Sequence, residues 1–290
     1  MRWIILVVST CFIALACFFA IATLCSHLWL ESLYHIPIIL ILGLAIIYLI
    51  THLLRILRFY ILLAEHNVKF GVLVNEYFPA SLVSFIIPFK LGEIYRIYRF
   101  SLISRNNLAG ILCVWLERLF DAAIIIFLLG IALVTNSLES KLLLFLLSAF
   151  ILGSLMCYFS VSFGYIYLNN YFLTAKHDKS SIRMLHLLDI VNIFRESAKK
   201  LISGRLTILL FLTICIWLLE LVEICTLIKI FNYKISIDIL STWINGIYSG
   251  FKYAPFCLSA YYIIGLLILL IASIFCILLR FKYVFRRKFK

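Results

Sequence analysis

Long apolar runs are the feature of this sequence that most limits its possible folds. Several of them exceed the ~18 residues that indicate a membrane-spanning helix. The chain is 65% hydrophobic and 13% charged, whereas a soluble domain is close to half apolar with about a quarter of its residues charged. The runs are continuous and do not alternate, which excludes a porin-like barrel. We therefore expect an all-α polytopic membrane protein.

The apolar runs predict about six transmembrane helices in a single membrane domain that covers residues 1–290. The expected spans are residues 3–25, 36–54, 107–134, 141–168, 206–231 and 257–279. Two weaker stretches, 70–87 and 235–255, are interrupted by polar residues and by Pro79 and Pro255. We interpret both as re-entrant segments, because non-helical backbone is tolerated at membrane depth when protein or a wet cavity surrounds it.

The distribution of basic residues predicts the topology. The net charge is +13, and the predicted spans leave 21 of the 26 Lys and Arg residues inside and four outside. By the positive-inside rule both termini are cytoplasmic, and the charge does not indicate nucleic-acid binding. The halves 1–134 and 141–290 then repeat one order of elements with opposite orientation, as in many transporters. The basic link 169–205 has the spacing of an amphipathic helix on the inner headgroups.

The nine cysteines lie in or beside apolar runs, and no CxxC or Cys/His cluster has metal-binding spacing. We interpret them as small buried hydrophobic residues. No metal or other cofactor is expected.

Charged residues concentrate between Pro79 and Asp121. Lys90, Glu93, Arg96 and Arg99 follow Pro88, and Gly92 in this group permits a close backbone approach. A net positive charge at the cytoplasmic mouth suits an anionic headgroup, since arginine binds phosphate with two parallel hydrogen bonds. An ordinary positive-inside loop remains the alternative.

Two further groups of charges lie in or beside predicted spans. Glu117, Arg118 and Asp121 occupy the third span, where each charge costs ~2.5–3.5 kcal/mol at the helix centre. They form either an intramembrane polar path or a structural ion network. Arg55 and Arg58 follow the second span one turn apart. They either extend to the lipid headgroups or hold a phosphate.

These residues resemble the signature of the lysylphosphatidylglycerol synthase transmembrane family. The matching motifs are Pro88-x-Lys90-x-Gly92-Glu93-x-x-Arg96 and Leu116-Glu117-Arg118-Leu119-x-Asp121. Arg55 and Arg58 resemble the basic cluster of the family after its second span, and Trp217-x-x-Glu220 resembles a stretch in its second half. Lys90 replaces the usual arginine, and residues 253–259 lack the glycines and the glutamate of a glycine-rich motif in the second half.

The resemblance implies a flippase-like protein of the prokaryotic cytoplasmic membrane that acts in cell-envelope biogenesis. Its cargo would be an anionic lipid, either a phospholipid or a polyprenyl-phosphate-linked sugar. Lys90, Glu93, Arg96 and Arg99 would bind the headgroup together with Arg55 and Arg58. Glu220 would join the polar path, and Pro79, Pro88, Gly92 and Pro255 would shape the re-entrant turns.

Two other functions stay open at this point. One is a membrane enzyme that acts on lipid phosphate, although no catalytic motif is present in the sequence and no aminoacyl-transferase domain accompanies it. The other is a non-catalytic partner of an envelope glycosyltransferase. A homo-oligomer also remains open.

Overall fold

The computed structural model describes residues 36–86, 91–132, 138–174, 179–234, 236–249 and 256–288, together with Phe18. The α-helices in these ranges are α1 (Ile38–Leu62), α2 (Phe70–Ile86), α3 (Leu91–Ser104), α4 (Asn107–Ala132), α5 (Leu138–Thr174), α6 (Lys179–Ile202), α7 (Leu206–Ile230), α8 (Ile237–Ser249) and α9 (Phe256–Lys288). A single-turn 3-10 helix, Ala64–His66, follows α1. No strand occurs in the described ranges, which confirms the all-α prediction.

Several helices have the length and composition of membrane spans. Within the described residues, α1, α7, Lys141–Ser160 of α5 and Cys257–Leu279 of α9 meet both criteria. Helix α4 has 26 residues and is long enough, but it carries three charged side chains in its interior. The chain is therefore a multi-pass membrane protein. The predicted span at residues 3–25 lies outside the described residues.

Three predicted boundaries differ from the structure. Helix α1 continues to Leu62, beyond the predicted end at residue 54, because its two arginines find partners inside the bundle. Helix α5 continues to Thr174 and so enters the predicted link. Helix α9 extends to Lys288 in the basic tail. In each case the helix continues past the end of the apolar run from which the boundary was predicted.

Helices α2 and α3 form an antiparallel hairpin. Gly92 at the start of α3 packs against Ser84 near the end of α2, whereas Arg99 pairs with Glu76 further back. The sequence placed the reversal inside 70–87, but Phe70–Ile86 is one helix with Pro79 in it, so the reversal does not fall within these residues. Helix α2 is roughly 26 Å long, shorter than the ~30 Å hydrocarbon core.

The membrane placement of this hairpin, the second re-entrant segment and the inverted repeat stay predictions. Helix α8 covers residues 237–249 of the second segment. Pro88, Lys90 and Pro255 lie outside the described residues.

Close packing of α1 to α4 positions the charged residues. Helix α1 packs along α7, and α3 packs against both α2 and α4. A Cβ on Gly92 would overlap the Ser84 backbone, and one on Gly110 would lie 2.6 Å from the Ser101 amide nitrogen. The rings of Phe59 and Phe100 pack with centroids 4.6 Å apart. The glycines thus bring the backbones of α2, α3 and α4 close together.

The outer helices present apolar surface. Between Lys141 and Ser160 only Leu147 is buried, so α5 turns most of its apolar side chains outward, as a lipid-facing helix does. Helix α6 lies in the predicted basic link, with Ala198 and Leu201 buried and Ile182 and Met184 exposed. Its position on the inner headgroups stays a prediction.

The predicted topology can be tested with two matched cysteine variants on either side of α7. Lys199→Cys and Lys234→Cys replace exposed lysines before and after this helix, in a background whose native cysteines are replaced. We expect an impermeant maleimide to label Lys234→Cys in intact cells, and Lys199→Cys only after the membrane is permeabilised. The reverse pattern would place residues 169–205 outside and contradict the topology.

Candidate functional site

Arg58 is the centre of a buried cluster of charged residues. Its side chain is fully buried, and it reaches α4 and α7 from α1. Its Nη1 donates to Asp121 Oδ1 at 2.8 Å and to Thr213 Oγ1 at 3.1 Å. Its Nη2 donates to Glu117 Oε1 at 2.8 Å. One guanidinium therefore holds two carboxylates that lie one helical turn apart on α4.

Arg96 of α3 approaches Glu117 from the other side. It donates to Oε2, while Arg58 occupies Oε1. The Arg96 guanidinium also lies over the Phe59 ring, with Cζ 4.8 Å from the ring centroid. Such cation–π contact adds attraction when the cation is desolvated. Glu117 thus joins three helices through two arginines.

Asp121 receives donors from three helices. Arg58 approaches from α1, and Trp217 Nε1 of α7 lies 3.4 Å from Asp121 Oδ1. Arg118 Nη1 lies 3.8 Å from Asp121 Oδ2, at i,i+3 spacing on α4. The carboxylate is 6% exposed, and these contacts offset its desolvation.

Two more ion pairs involve the hairpin: one links α3 to α4, and the other links α3 to α2. Arg118 donates from Nε to Glu93 Oε2 at 3.0 Å and from Nη2 to Oε1, which is the two-pronged geometry of arginine with a carboxylate. Arg99 donates from Nε to Glu76 Oε2 at 2.7 Å. Both pairs cross between helices that the sequence could not place together.

Arg55 pairs with Glu220 of α7, one turn along α1 from Arg58. We call the whole set the arginine network, and its members are Arg55, Arg58, Arg96, Arg99, Arg118, Glu76, Glu93, Glu117, Asp121 and Glu220.

Exposure divides the arginines of this network into two kinds. The side chains of Arg58, Arg96 and Arg99 are at most 8% exposed. Those of Arg55 and Arg118 are 27% and 34% exposed. Arg58, Arg96 and Arg99 therefore act inside the bundle. Arg55 and Arg118 stay accessible to a group from outside the protein.

The structure joins two sets of residues that the sequence analysis treated separately. Four of the predicted headgroup residues contact the predicted polar path, namely Arg55, Arg58, Glu93 and Arg96. The fifth, Arg99, pairs with Glu76. The sequence grouped Arg96 and Arg99 with Glu93, but in the structure Arg96 pairs with Glu117 and Arg99 pairs with Glu76. Lys90 lies outside the described residues.

Sequence reasoning gave no role to Glu76 or to Thr213, and it named Trp217 only as part of a motif. A signal was present, because Thr213, Trp217 and Glu220 recur at four- and three-residue steps on one face of α7. Glu76 is a carboxylate inside an apolar segment, which by itself indicates a buried partner. In the described part of the chain, no group of His, Cys, Asp and Glu residues could hold a metal ion.

The fold and this site define a class: a helical, multi-pass membrane protein with ion pairs buried between its helices. Comparison with known families places the chain within that class. It matches the family described as the lysylphosphatidylglycerol synthase TM region over residues 3–247, so the chain belongs to this family. No curated protein and no solved structure matches the chain.

Proposed function

We propose that this protein binds the phosphate of an anionic lipid at Arg55 and Arg118 and carries the lipid across the cytoplasmic membrane of a prokaryote. The observation that supports the proposal is the accessibility of these two arginines in an otherwise buried network. Membership of the family adds support. Phospholipids and polyprenyl-phosphate-linked sugars share the phosphate that arginine would recognise.

When the lipid phosphate binds, it replaces the carboxylate partner of an arginine, and this exchange supplies the binding energy. Each accessible arginine is already paired with one carboxylate, Glu220 or Glu93. A phosphate offers the same planar guanidinium equal or better acceptors, because it carries more oxygens and binds through the same parallel hydrogen bonds. The headgroup therefore replaces a carboxylate and does not bring a new charge to an empty site. Water is displaced only from groups that were partly hydrated.

The network also offers a route through the apolar layer. Asp121 lies roughly 21 Å along the α4 axis from its first residue, Asn107. On α1 the polar residues Tyr48, Thr51, His52, Arg55 and Arg58 follow one another at short steps. A headgroup that passes from one arginine to the next would remain solvated by protein, which lowers the cost of crossing hydrocarbon.

Lipid binding by arginine variants is the experiment that tests this function. Arg55→Ala or Arg118→Ala should weaken binding of phosphatidylglycerol roughly ten- to 150-fold, which corresponds to the ~1.5–3 kcal/mol of a hydrogen bond to a charged group. Arg→Lys at either position should recover part of the loss. Lysine keeps the charge but lacks the planar guanidinium that binds a phosphate through two parallel hydrogen bonds. Native mass spectrometry of purified protein with defined lipids measures how much lipid each variant retains.

The controls separate binding from stability. Arg183→Ala removes an exposed arginine on α6 and should bind like the wild type. The pair Arg55→Ala with Glu220→Gln leaves no unpaired charge, so it should fold but still lose the lipid. The same binding assay is repeated with a polyprenyl phosphate and with a zwitterionic lipid. Equal retention of anionic lipid by all variants would contradict the proposal, and a need for divalent metal in turnover would favour a membrane enzyme.

A further inference from the structure

Glu223 is a buried carboxylate outside the arginine network. It lies one turn beyond Glu220 on α7 and is 2% exposed. Among the described residues its Oε2 atom has no hydrogen-bond partner. Glu220 has Arg55 and Asp121 has Arg58, so Glu223 is the exception that requires an explanation.

The surroundings of Glu223 are aromatic. Among the described residues, the charged and titratable groups that interact electrostatically with it are Glu220 on its own helix, Arg55 and Tyr48 of α1, and Tyr261 of α9. The Tyr48 and Tyr261 rings lie 6.3 Å apart, and Trp243 of α8 packs edge-on against Tyr261. Within the described part of the chain, the two carboxylates therefore share Arg55 as their nearby cation. An ionised carboxylate without its own cation is costly in such an environment.

We propose that Glu223 and Glu220 form a two-carboxylate proton site that couples proton uptake to lipid binding. Glu223 holds a proton while Arg55 is paired with Glu220. When a phosphate draws Arg55 away, Glu220 takes a second proton from the aqueous phase. This coupling rests on the proposed function, whereas the proton on Glu223 does not.

Charge balance is the physical reason for the coupling. The bound phosphate brings a negative charge, and the released Glu220 would leave a second one beside it. Two like charges in a desolvated site oppose each other, so one proton enters and the site returns to its former net charge. The lipid anion and the proton would then cross together, and the membrane potential would act little on the pair.

The geometry places this site deep in the bundle. Glu223 lies roughly 26 Å along the α7 axis from its first residue, Leu206. Tyr48 lies two turns from Arg55 on α1, on the side away from Arg58.

Infrared titration tests the proton on Glu223 without any lipid. Purified wild-type protein should show the carbonyl band of a protonated carboxylic acid at neutral pH. Glu223→Gln should lose that band and keep its fold, because the amide resembles the protonated acid in size. Glu196→Gln is the matched control. Glu196 is hydrogen-bonded to Arg195 at 2.5 Å, which lowers the pKa of this surface carboxyl. A band that is absent from the wild type, or unchanged in Glu223→Gln, would overturn the proposal.

The coupling is tested by phosphatidylglycerol binding as a function of pH. Between the pH at which Glu220 titrates in the free protein and the higher pH at which it titrates in the complex, wild-type affinity should fall about tenfold per pH unit. Glu220→Gln should abolish this slope, and Glu196→Gln should keep it. Wild-type affinity that does not change with pH would overturn the coupling but leave the proposed function intact. No lipid binding at any pH would overturn both the coupling and the proposed function, while the infrared titration still decides whether Glu223 carries a proton.

Discussion

Arg58→Leu is expected to destabilise the protein by ~3–5 kcal/mol, the usual result of removing one partner of a buried ion pair. The substitution leaves Asp121 and Glu117 without their shared donor in a site where Arg58 is fully buried. Because a domain has only ~5–15 kcal/mol of stability in total, this loss should lower the melting temperature markedly. Thermal melting followed by size-exclusion fluorescence in detergent measures the effect.

The network account also predicts a rescue. Arg58→Leu combined with Asp121→Leu leaves Glu117 paired with Arg96 and Glu93 paired with Arg118. The double variant should therefore recover a part of the lost melting temperature, because no carboxylate remains without a cation. Arg183→Leu, which removes an exposed arginine on α6, should melt like the wild type. A single Arg58→Leu variant with wild-type melting would show that the network does not stabilise the fold.

Gly92→Ala is expected to destabilise the protein by about 1–3 kcal/mol, as overpacking of a core does. The added Cβ would overlap the backbone of Ser84 and lie 2.9 Å from the Val83 carbonyl oxygen. Helix α3 would have to move away from α2, and the Arg99 pair with Glu76 would lengthen. The same melting assay measures this loss.

Gly71→Ala is the matched control on the neighbouring helix. A Cβ on Gly71 meets nothing within 4 Å, so only helix propensity changes, and alanine is favoured by up to about 1 kcal/mol. The two substitutions are chemically identical and should shift the melting temperature in opposite directions. A shift of the same sign and size in both would contradict the close approach of α2 and α3.

Much of the site was visible in the sequence because charge in apolar helices is conspicuous. Glu117, Arg118 and Asp121 indicated a face that avoids lipid, and Arg55 and Arg58 indicated a basic turn. The buried positions of Glu117, Asp121 and Arg58 follow from the cost of exposing such groups to hydrocarbon. The helical class followed from the length of the apolar runs alone.

The choice of partners could not be predicted. Spacing along one helix identifies neighbours such as Glu93 and Arg96. Arg96 nevertheless pairs with Glu117, because α4 packs against α3. Glu93 in turn takes Arg118. The reversal of the hairpin was misplaced for a similar reason: polar residues and Pro79 suggested a break in α2, whereas Glu76 is satisfied by Arg99 and the helix continues.

Lipid movement in reconstituted vesicles tests the central claim most directly. Vesicles that contain fluorescent phosphatidylglycerol or phosphatidylcholine report translocation when an impermeant reductant quenches the outer leaflet. The wild-type protein should speed the movement of phosphatidylglycerol over that of phosphatidylcholine, and Arg183→Ala should do the same. Arg55→Ala with Glu220→Gln should bring the rate down to that of protein-free vesicles. If this double variant moves phosphatidylglycerol as fast as the wild type, the arginine network does not carry the headgroup.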